Sequence, residues 1–360
     1  MMARSDPFDL TPCADPDPSF ASSAEARDWL LTACKGHPSL ARFRTIGESE
    51  EGRPIDAVVL GSGERHVSLI AGNHADEPVG PETLRSMIRE VLDQPNRFEG
   101  VLERFTFYIV PHTNPDGEHR NRPWIKAWPD IRAYLRHVSR DLPGRDLEFG
   151  FPSMRPENEA VASFLKPHAP FVLHASLHGM SVSEGALLLI NRPWTYRTED
   201  LQDEYRRAAA EAGLAMHDHN RKGEKGFFWI DPGIQTTPRG EAMRSYFRSI
   251  GDDDMARRFH DSSMEMVMGW GGDPLCLVTE LPLWVLTGGP TSVASSDHPH
   301  RPARYEAFRD RFADLRHRDV ADDDDAVADL LRTFSLTPLP PSEAMRLQLT
   351  ALSLALATIG

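Results

Sequence analysis

Hydrophobic positions along the chain switch between two periods. Over residues 24–34 the spacing is helical, with Trp29, Leu30 and Ala33 close to one face. Lys35-Gly36-His37-Pro38 ends that pattern with glycine and proline. Residues 42–46, 55–60 and 66–71 then read as strands, broken by turn-like segments such as Gly61-Ser62-Gly63. Residues 81–92 predict a helix with proline in its first turn. Strand-like runs recur at 105–110, 171–177, 186–190 and 275–279, with helical patterns between them at 157–165 and 200–212. This alternation predicts an α/β fold, a central mixed β-sheet flanked by helices. Reactive groups would cluster where its strands end and loops begin.

After about residue 290 the character changes. The acids at 322–325 stand before an apolar stretch and predict a charged helix N-terminus, where acids oppose the positive end of the dipole. A calcium loop would need alternating oxygen ligands and a turn glycine, which this run lacks. Residues 342–359 predict a terminal helix, packed on the domain or on a partner subunit.

Composition narrows function more than fold. The chain has 360 residues, 40% of them apolar and 26% charged, enough for a sizeable core. Its 40 basic and 54 acidic residues give a net charge of −14. That argues against nonspecific nucleic-acid binding, which needs many basic contacts to phosphate. Cys13, Cys34 and Cys276 are too sparse for a disulfide framework. The N-terminal residues lack the apolar core of a signal peptide. The apolar stretch 351–359 is far short of the roughly 20 residues a membrane span needs. A cytoplasmic protein with no nucleic-acid or membrane partner is the expectation.

Candidate chemistry sits at the ends of the apolar runs. Val67-Ser68-Leu69-Ile70 leads into His74-Ala75-Asp76-Glu77, a histidine and a glutamate three residues apart. Zinc suits imidazole nitrogen and carboxylate oxygen, and a hydrolytic site keeps one position open for water. A third ligand is expected from a neighbouring strand end. His178 ends the run 171–177 as His74 follows its own; His174, inside the run, reads as a hydrogen-bonded core histidine. Glu280 ends another strand between apolar neighbours, where a carboxylate could take a proton from a metal-activated water and return it to a leaving nitrogen. Asn114-Pro115-Asp116-Gly117 is strong turn chemistry. Arg120 and Arg122 follow it, and an arginine there could stabilise an oxyanion.

Together these pieces resemble the zinc metallocarboxypeptidase family, the carboxypeptidase A-like peptidases. Residues 46–55 look like the family's early strand-turn-strand segment, His74-Ala75-Asp76-Glu77 like its His-x-x-Glu motif, and Asn114-Pro115-Asp116-Gly117 like its Asn-Pro-Asp-Gly turn. His178-Gly179 matches the third ligand and Glu280 the catalytic glutamate. The resemblance implies one zinc ion on His74, Glu77 and His178, with Glu280 as base and then acid. It implies an oxyanion arginine at Arg120 or Arg122, with Arg122 favoured, and a mobile tyrosine at Tyr246. It also implies a catalytic domain over 23–290, after a loose lead-in at 1–22 and before a helical C-terminal extension at 291–360. The terminal helices could join copies into a homo-oligomer.

One segment departs from the pattern. Family members usually carry Asp-Leu-Asn-Arg-Asn-Phe-Pro, whose Asn-Arg pair grips a substrate carboxylate. Here the stretch is Asp146-Leu147-Glu148-Phe149-Gly150-Phe151-Pro152. A phenyl ring cannot replace a bidentate guanidinium. Either another arginine, such as Arg145, Arg239 or Arg244, takes over the anchor, or Glu148 accepts an amine or neutral group of the substrate. The leading expectation is a zinc-dependent hydrolase of peptides or small amides with atypical anchoring. The alternatives are an N-acyl amino acid deacylase of the succinylglutamate desuccinylase and aspartoacylase type, and a zinc-bearing binding protein without catalysis.

Overall fold

The structure, a computed structural model, describes residues 8–287, 303–317 and 324–360. Residues 1–7 of the expected lead-in and Asp322 and Asp323 of the acidic run lie outside the described residues. In chain order the strands are β1 (Ala41–Glu48), β2 (Pro54–Gly61), β3 (Arg65–Ala71), β4 (Phe105–Val110), β5 (Leu173–Ser183), β6 (Gly185–Ile190), β7 (Ala215–Met216), β8 (Trp229–Asp231), β9 (Ile234–Thr236), β10 (Leu275–Leu286) and β11 (Leu336–Pro338). They form one mixed sheet in the order β1-β2-β4-β3-β5-β10-β6-β9-β8, with β11 on β10 and β7 on β6. The centre, β4-β3-β5-β10, is parallel. Antiparallel pairs flank it on both sides.

The central strands are apolar because helices cover both faces. Every residue of β4 is buried. β5 is different: Leu173, Ala175 and Leu177 join the large core, while His174, Ser176 and His178 form a polar row on the opposite face. His174 is held between Ser68 Oγ (2.6 Å) and Ser263 Oγ (3.1 Å), as a satisfied core histidine should be. β5 and β10 run well past their expected ends at 177 and 279, because each pairs with the other and β10 then gains β11.

The helices expected from periodicity are present as Ser23–Gly36, Val79–Asp93, Pro156–Leu165, Glu199–Glu211 and Pro341–Ile359. Ser22 and Glu25 cap the first reciprocally. A helix also begins at Asp324, within the acidic run. The terminal helix packs against Val79–Asp93, Glu199–Glu211 and β10. Its buried Gln348 donates to His178 O (3.0 Å) and Thr279 Oγ1 (3.2 Å) and accepts from Thr83 Oγ1 (2.6 Å). Among the described residues, no helix is long and apolar enough to cross a membrane.

Asn114-Pro115-Asp116-Gly117 is the start of a helix, Pro115–Ile125, and not a free-standing turn. Asn114 Oδ1 accepts from Gly117 N (2.9 Å), and Pro115 occupies the first turn, where its missing N–H costs nothing. Asp116 accepts from Ser49 Oγ (2.6 Å), Glu51 N (3.0 Å) and Arg53 Nη1 (2.8 Å), tying the β1–β2 turn to this helix.

Candidate metal centre and catalytic cleft

β3 delivers the chain to Gly72, whose φ of 82° and contact with the His112 ring, 2.5 Å from where a Cβ would sit, admit only glycine. The loop then folds back on itself through Glu77 N to His74 O (3.2 Å), which turns both side chains to the same side. Gly80 lets the following helix start against β5, since a Cβ there would lie 2.5 Å from Leu177 O. His178 and Glu280 stand opposite each other in the β5–β10 register. Thus the end of β3 and the middles of β5 and β10 bring their polar residues to one place.

His74 Nδ1 lies 3.0 Å from Glu77 Oε1, His178 Nδ1 lies 2.9 Å from Glu77 Oε2, and the two Nδ1 atoms lie 3.1 Å apart. One ligand atom from each residue falls within 4.8 Å of the others. Behind them, His74 Nε2 faces Asp146 Oδ2 (3.3 Å), and His178 Nε2 faces Glu148 Oε2 (2.9 Å) and Ser176 Oγ (2.8 Å). A carboxylate only accepts, so on its outer side each Nε2 donates to Asp146 or Glu148, and a cation held at Glu77 would take the lone pair of each neutral Nδ1. Two ring nitrogens and the Glu77 carboxylate, which also accepts from Arg140 Nη2 and Gly179 N (3.1 Å), converge there. That donor set fits a divalent cation, with carboxylates behind each histidine as metal sites require.

The electrostatics show an excess of negative charge around the two rings. Burial alone would lower His178, but Glu77 and Glu148 outweigh it and push the ring up to about 10. His74 is likewise raised, against burial, by Glu77 and Asp146. Burial would raise Glu77, yet His74, Arg140 and His178 hold it well below the usual carboxylate range. Burial and then Glu77 lift Glu280 to about 7.

Arg120, Arg122 and Tyr246 do not reach this cluster. The helix Pro115–Ile125 turns Arg122 toward the first helix, where it donates to Phe20 O (2.6 Å) and pairs with Glu25 (3.1 Å). Arg120 pairs with Glu51 (2.8 Å). Tyr246 packs on Phe247 and under Lys225. Arg140, which the sequence did not single out, stands at the cluster instead. It donates through Nε to Asp76 Oδ1 (2.9 Å) and through Nη2 to Glu77. Asn121 holds its neighbour Ser139 through both backbone atoms (2.8 and 2.9 Å), and Asn114 holds Asp141 (2.8 Å). The only sequence signal for Arg140 is that it follows the Asn-Pro-Asp-Gly motif at a distance.

Glu148 is buried, with its carboxylate turned inward, accepting from Asn73 Nδ2 (2.7 Å) and bonded to His178. Phe149 packs edge-on against Phe259, which stacks on Phe247. The two positions of the expected carboxylate clamp thus hold a carboxylate bonded to His178 and a ring in an aromatic stack. Arg145 pairs with Glu50, and Arg244 with Glu241 (3.0 Å). Arg239 lines a separate cavity.

A cavity of about 300 Å³ opens beside the cluster, lined by Glu77, Arg140 and Glu280 on one side and by Arg221, Phe227 and the helix Ala303–His317 on the other. A family model described as zinc carboxypeptidase matches residues 26–235, more than half the chain and inclusive of all three cluster residues. The chain belongs to the zinc carboxypeptidase family. Glu280 and the helix Ala303–His317 lie beyond the matched segment. Among relatives of known annotation, carboxypeptidase B of Astacus astacus is 30% identical over 160 residues, covering 42% of this chain and 52% of that protein. Carboxypeptidase A6 of Mus musculus is 29% identical over 181 residues, covering 41% of this chain and 40% of that protein. The chain thus spans about half or less of the relatives it matches. The crystal structure of the carboxypeptidase A from Helicoverpa armigera shares the fold, with a TM-score of 0.50 at 14% identity over 84% of this chain and 74% of that one.

Proposed function

We propose that this member of the zinc carboxypeptidase family hydrolyses an amide bond in a peptide or small amide. His74 and His178 would hold one zinc ion through Nδ1, and Glu77 through its carboxylate. When bound, zinc would supply Lewis-acid chemistry, acidifying a water and polarising the scissile carbonyl. The observation that carries the reading is the convergence of His74 Nδ1, His178 Nδ1 and the Glu77 carboxylate within 3.1 Å of one another, with Glu280 in register beside them.

Glu280 takes the proton from the attacking water and delivers it to the leaving nitrogen. A carboxylate beside a metal-activated water can do both. Arg140 stabilises the oxyanion. Its Nε and Nη2 are committed to Asp76 and Glu77, so Nη1 is left for a charge that develops in the cavity. Asp146 and Glu148 fix the tautomer and orientation of the two histidines.

A volume of about 300 Å³ sits at the small end of ligand pockets. That favours a short substrate and keeps a second reading in play, an N-acyl amino acid deacylase. Zinc-loaded wild type and Glu280→Gln should be compared on a panel of peptides and N-acyl amino acids. We expect wild-type turnover on one class, and a loss of about 10³-fold or more in the variant with zinc content unchanged. Equal turnover in the two proteins would remove Glu280 from the chemistry. Zinc binding with no turnover on either class would leave a binding protein.

A further inference from the structure

We propose that Arg221 is the carboxylate anchor of this site, replacing the clamp lost at Glu148 and Phe149 from a different wall of the cleft. The inference rests on the amide-hydrolase reading above. It concerns a carboxylate-bearing substrate, whether the carboxylate is terminal or on an acidic side chain.

Three arginines line the cavity: Arg140, Arg221 and Arg309. Arg140 is committed to Asp76 and Glu77. Arg309 is exposed and pairs with Asp310 (3.2 Å). Arg221 is partly buried, and among the described residues its guanidinium makes no ion pair; its Cζ lies 4.1 Å from the centre of the Phe227 ring. Burial pulls its pKa down, and Tyr305, Glu280 and Glu224 work against that pull. A guanidinium withdrawn from water without a counter-ion is costly to keep. It gains most when an anion arrives, because planar bidentate pairing is strong and the apolar walls at Met180, Leu187 and Phe308 limit screening.

The segment around Arg221 is also built to hold it still. His217 and His219 are buried, and Gln235 Nε2 donates to His219 O (2.6 Å). Past Arg221 the chain turns at Gly223, with φ of 76°, and Gly223 N donates to Phe227 O (3.0 Å). That turn brings the Phe227 ring back onto the guanidinium. The ring fixes the plane of the fork and leaves its N–H edge free to meet a carboxylate.

The test is calorimetric binding to the zinc-loaded protein with three probes: N-acetylphenylalanine, N-acetylglutamic acid α-amide and N-acetylphenylalaninamide. Wild type should bind at least one acid more tightly than the neutral amide. Arg221→Gln should weaken that acid about 10- to 100-fold and leave the neutral amide unchanged. Which acid is lost identifies a terminal or a side-chain carboxylate. Arg221→Lys keeps the charge without the fork and should fall between, which covers the case where Arg221→Gln does not fold. Acid binding unaltered in Arg221→Gln, equal loss of acid and amide, or a wild type blind to the carboxylate would each overturn the proposal. Hydrolysis is scored separately: acid binding that depends on Arg221 without turnover removes the hydrolase reading and leaves the anchor standing.

Discussion

Two buried ionic clusters stand on either side of the loop that carries His74 and Glu77, and they are made of the same residue types. Under the loop, His112, Glu118 and Arg85 lie together, with Glu82 nearby. In the cleft, His74, His178, Glu77 and Arg140 lie together, backed by Asp76, Asp146 and Glu148. In the first the guanidinium and the ring each have a partner. Arg85 pairs with Glu118 (3.1 Å), and His112 Nδ1 spends its lone pair on Asn114 N (3.1 Å). Burial then sets His112 at about 4, a neutral ring. The second has many carboxylates around a single guanidinium, and they pull His178 up to about 10 against the same burial. A buried histidine next to acids is thus no metal signal by itself. What separates the two clusters is a deficit of positive charge and two ring nitrogens converging on one carboxylate.

Removing a ligand is the largest break in that comparison. Purified wild type should carry about one zinc and gain about 4 kcal/mol of stability at a thousandfold excess over Kd. His178→Ala should lose both, read as metal content and as the zinc-dependent shift in Tm. His112→Ala should keep its zinc. Retention of zinc by His178→Ala would mean that the two clusters differ in composition only.

The His112 cluster should show itself in stability instead. Burial raises Glu118, but His112, Arg85 and the Ser23 backbone N–H more than offset it and hold the carboxyl at about 2, below its ordinary 4.5. Its contribution is therefore whole above about pH 4.5 and fades as the pH falls toward 2. The shift corresponds to about 3 kcal/mol. Glu118→Gln should cost about 3 kcal/mol at neutral pH, where a buried pair is broken, and should flatten the fall of Tm between pH 4.5 and 2. An unchanged acid profile would show that Arg85 and Glu118 are not coupled. Zinc affinity should be untouched.

The residues that define the cleft's cluster were legible because each follows an apolar run in the sequence. His74 does lie past the end of its strand, whereas β5 and β10 continue beyond His178 and Glu280; the polar residue that breaks the apolar run was the signal there, and the helices needed only their apolar periodicity. Arg140 was not legible. Its place depends on Asn121 and Asn114, side chains of a helix that begins inside a motif which also reads as a turn. Asn-Pro satisfies a helix N-terminus and a turn by the same local chemistry, and only the chain beyond it decides. Once that helix forms, its pitch carries Arg122 away from the cleft to Phe20. Arg221 was missed because nothing local marks it; its meaning lies in Phe227 and in a cavity wall from residues after 300.

Glu148 is where sequence reading and structure diverge most, and it gives the finest test of the comparison. Read from its neighbours, it replaces a substrate-binding asparagine and should meet the substrate. In the structure it is buried against His178 and Asn73. A carboxylate behind a histidine makes the imidazole a better donor to metal, and losing such a partner typically weakens metal binding about 10- to 100-fold. Glu148→Gln preserves shape and one hydrogen bond but removes the charge. It should raise the Kd for zinc within that range, measured by competition with a chelator, and leave the KM of the metal-saturated enzyme nearly unchanged. A substrate-binding Glu148 predicts the reverse, a changed KM at unchanged zinc affinity. The Glu148 charge also adds to the deficit that sets the cleft apart from the His112 cluster. The variant should therefore lower the stability of the metal-free protein little or even raise it, since Glu148 Oε1 is buried without a hydrogen-bond partner among the described residues. A large loss of metal-free stability would place Glu148 with Glu118, among the groups that hold the fold rather than the ion.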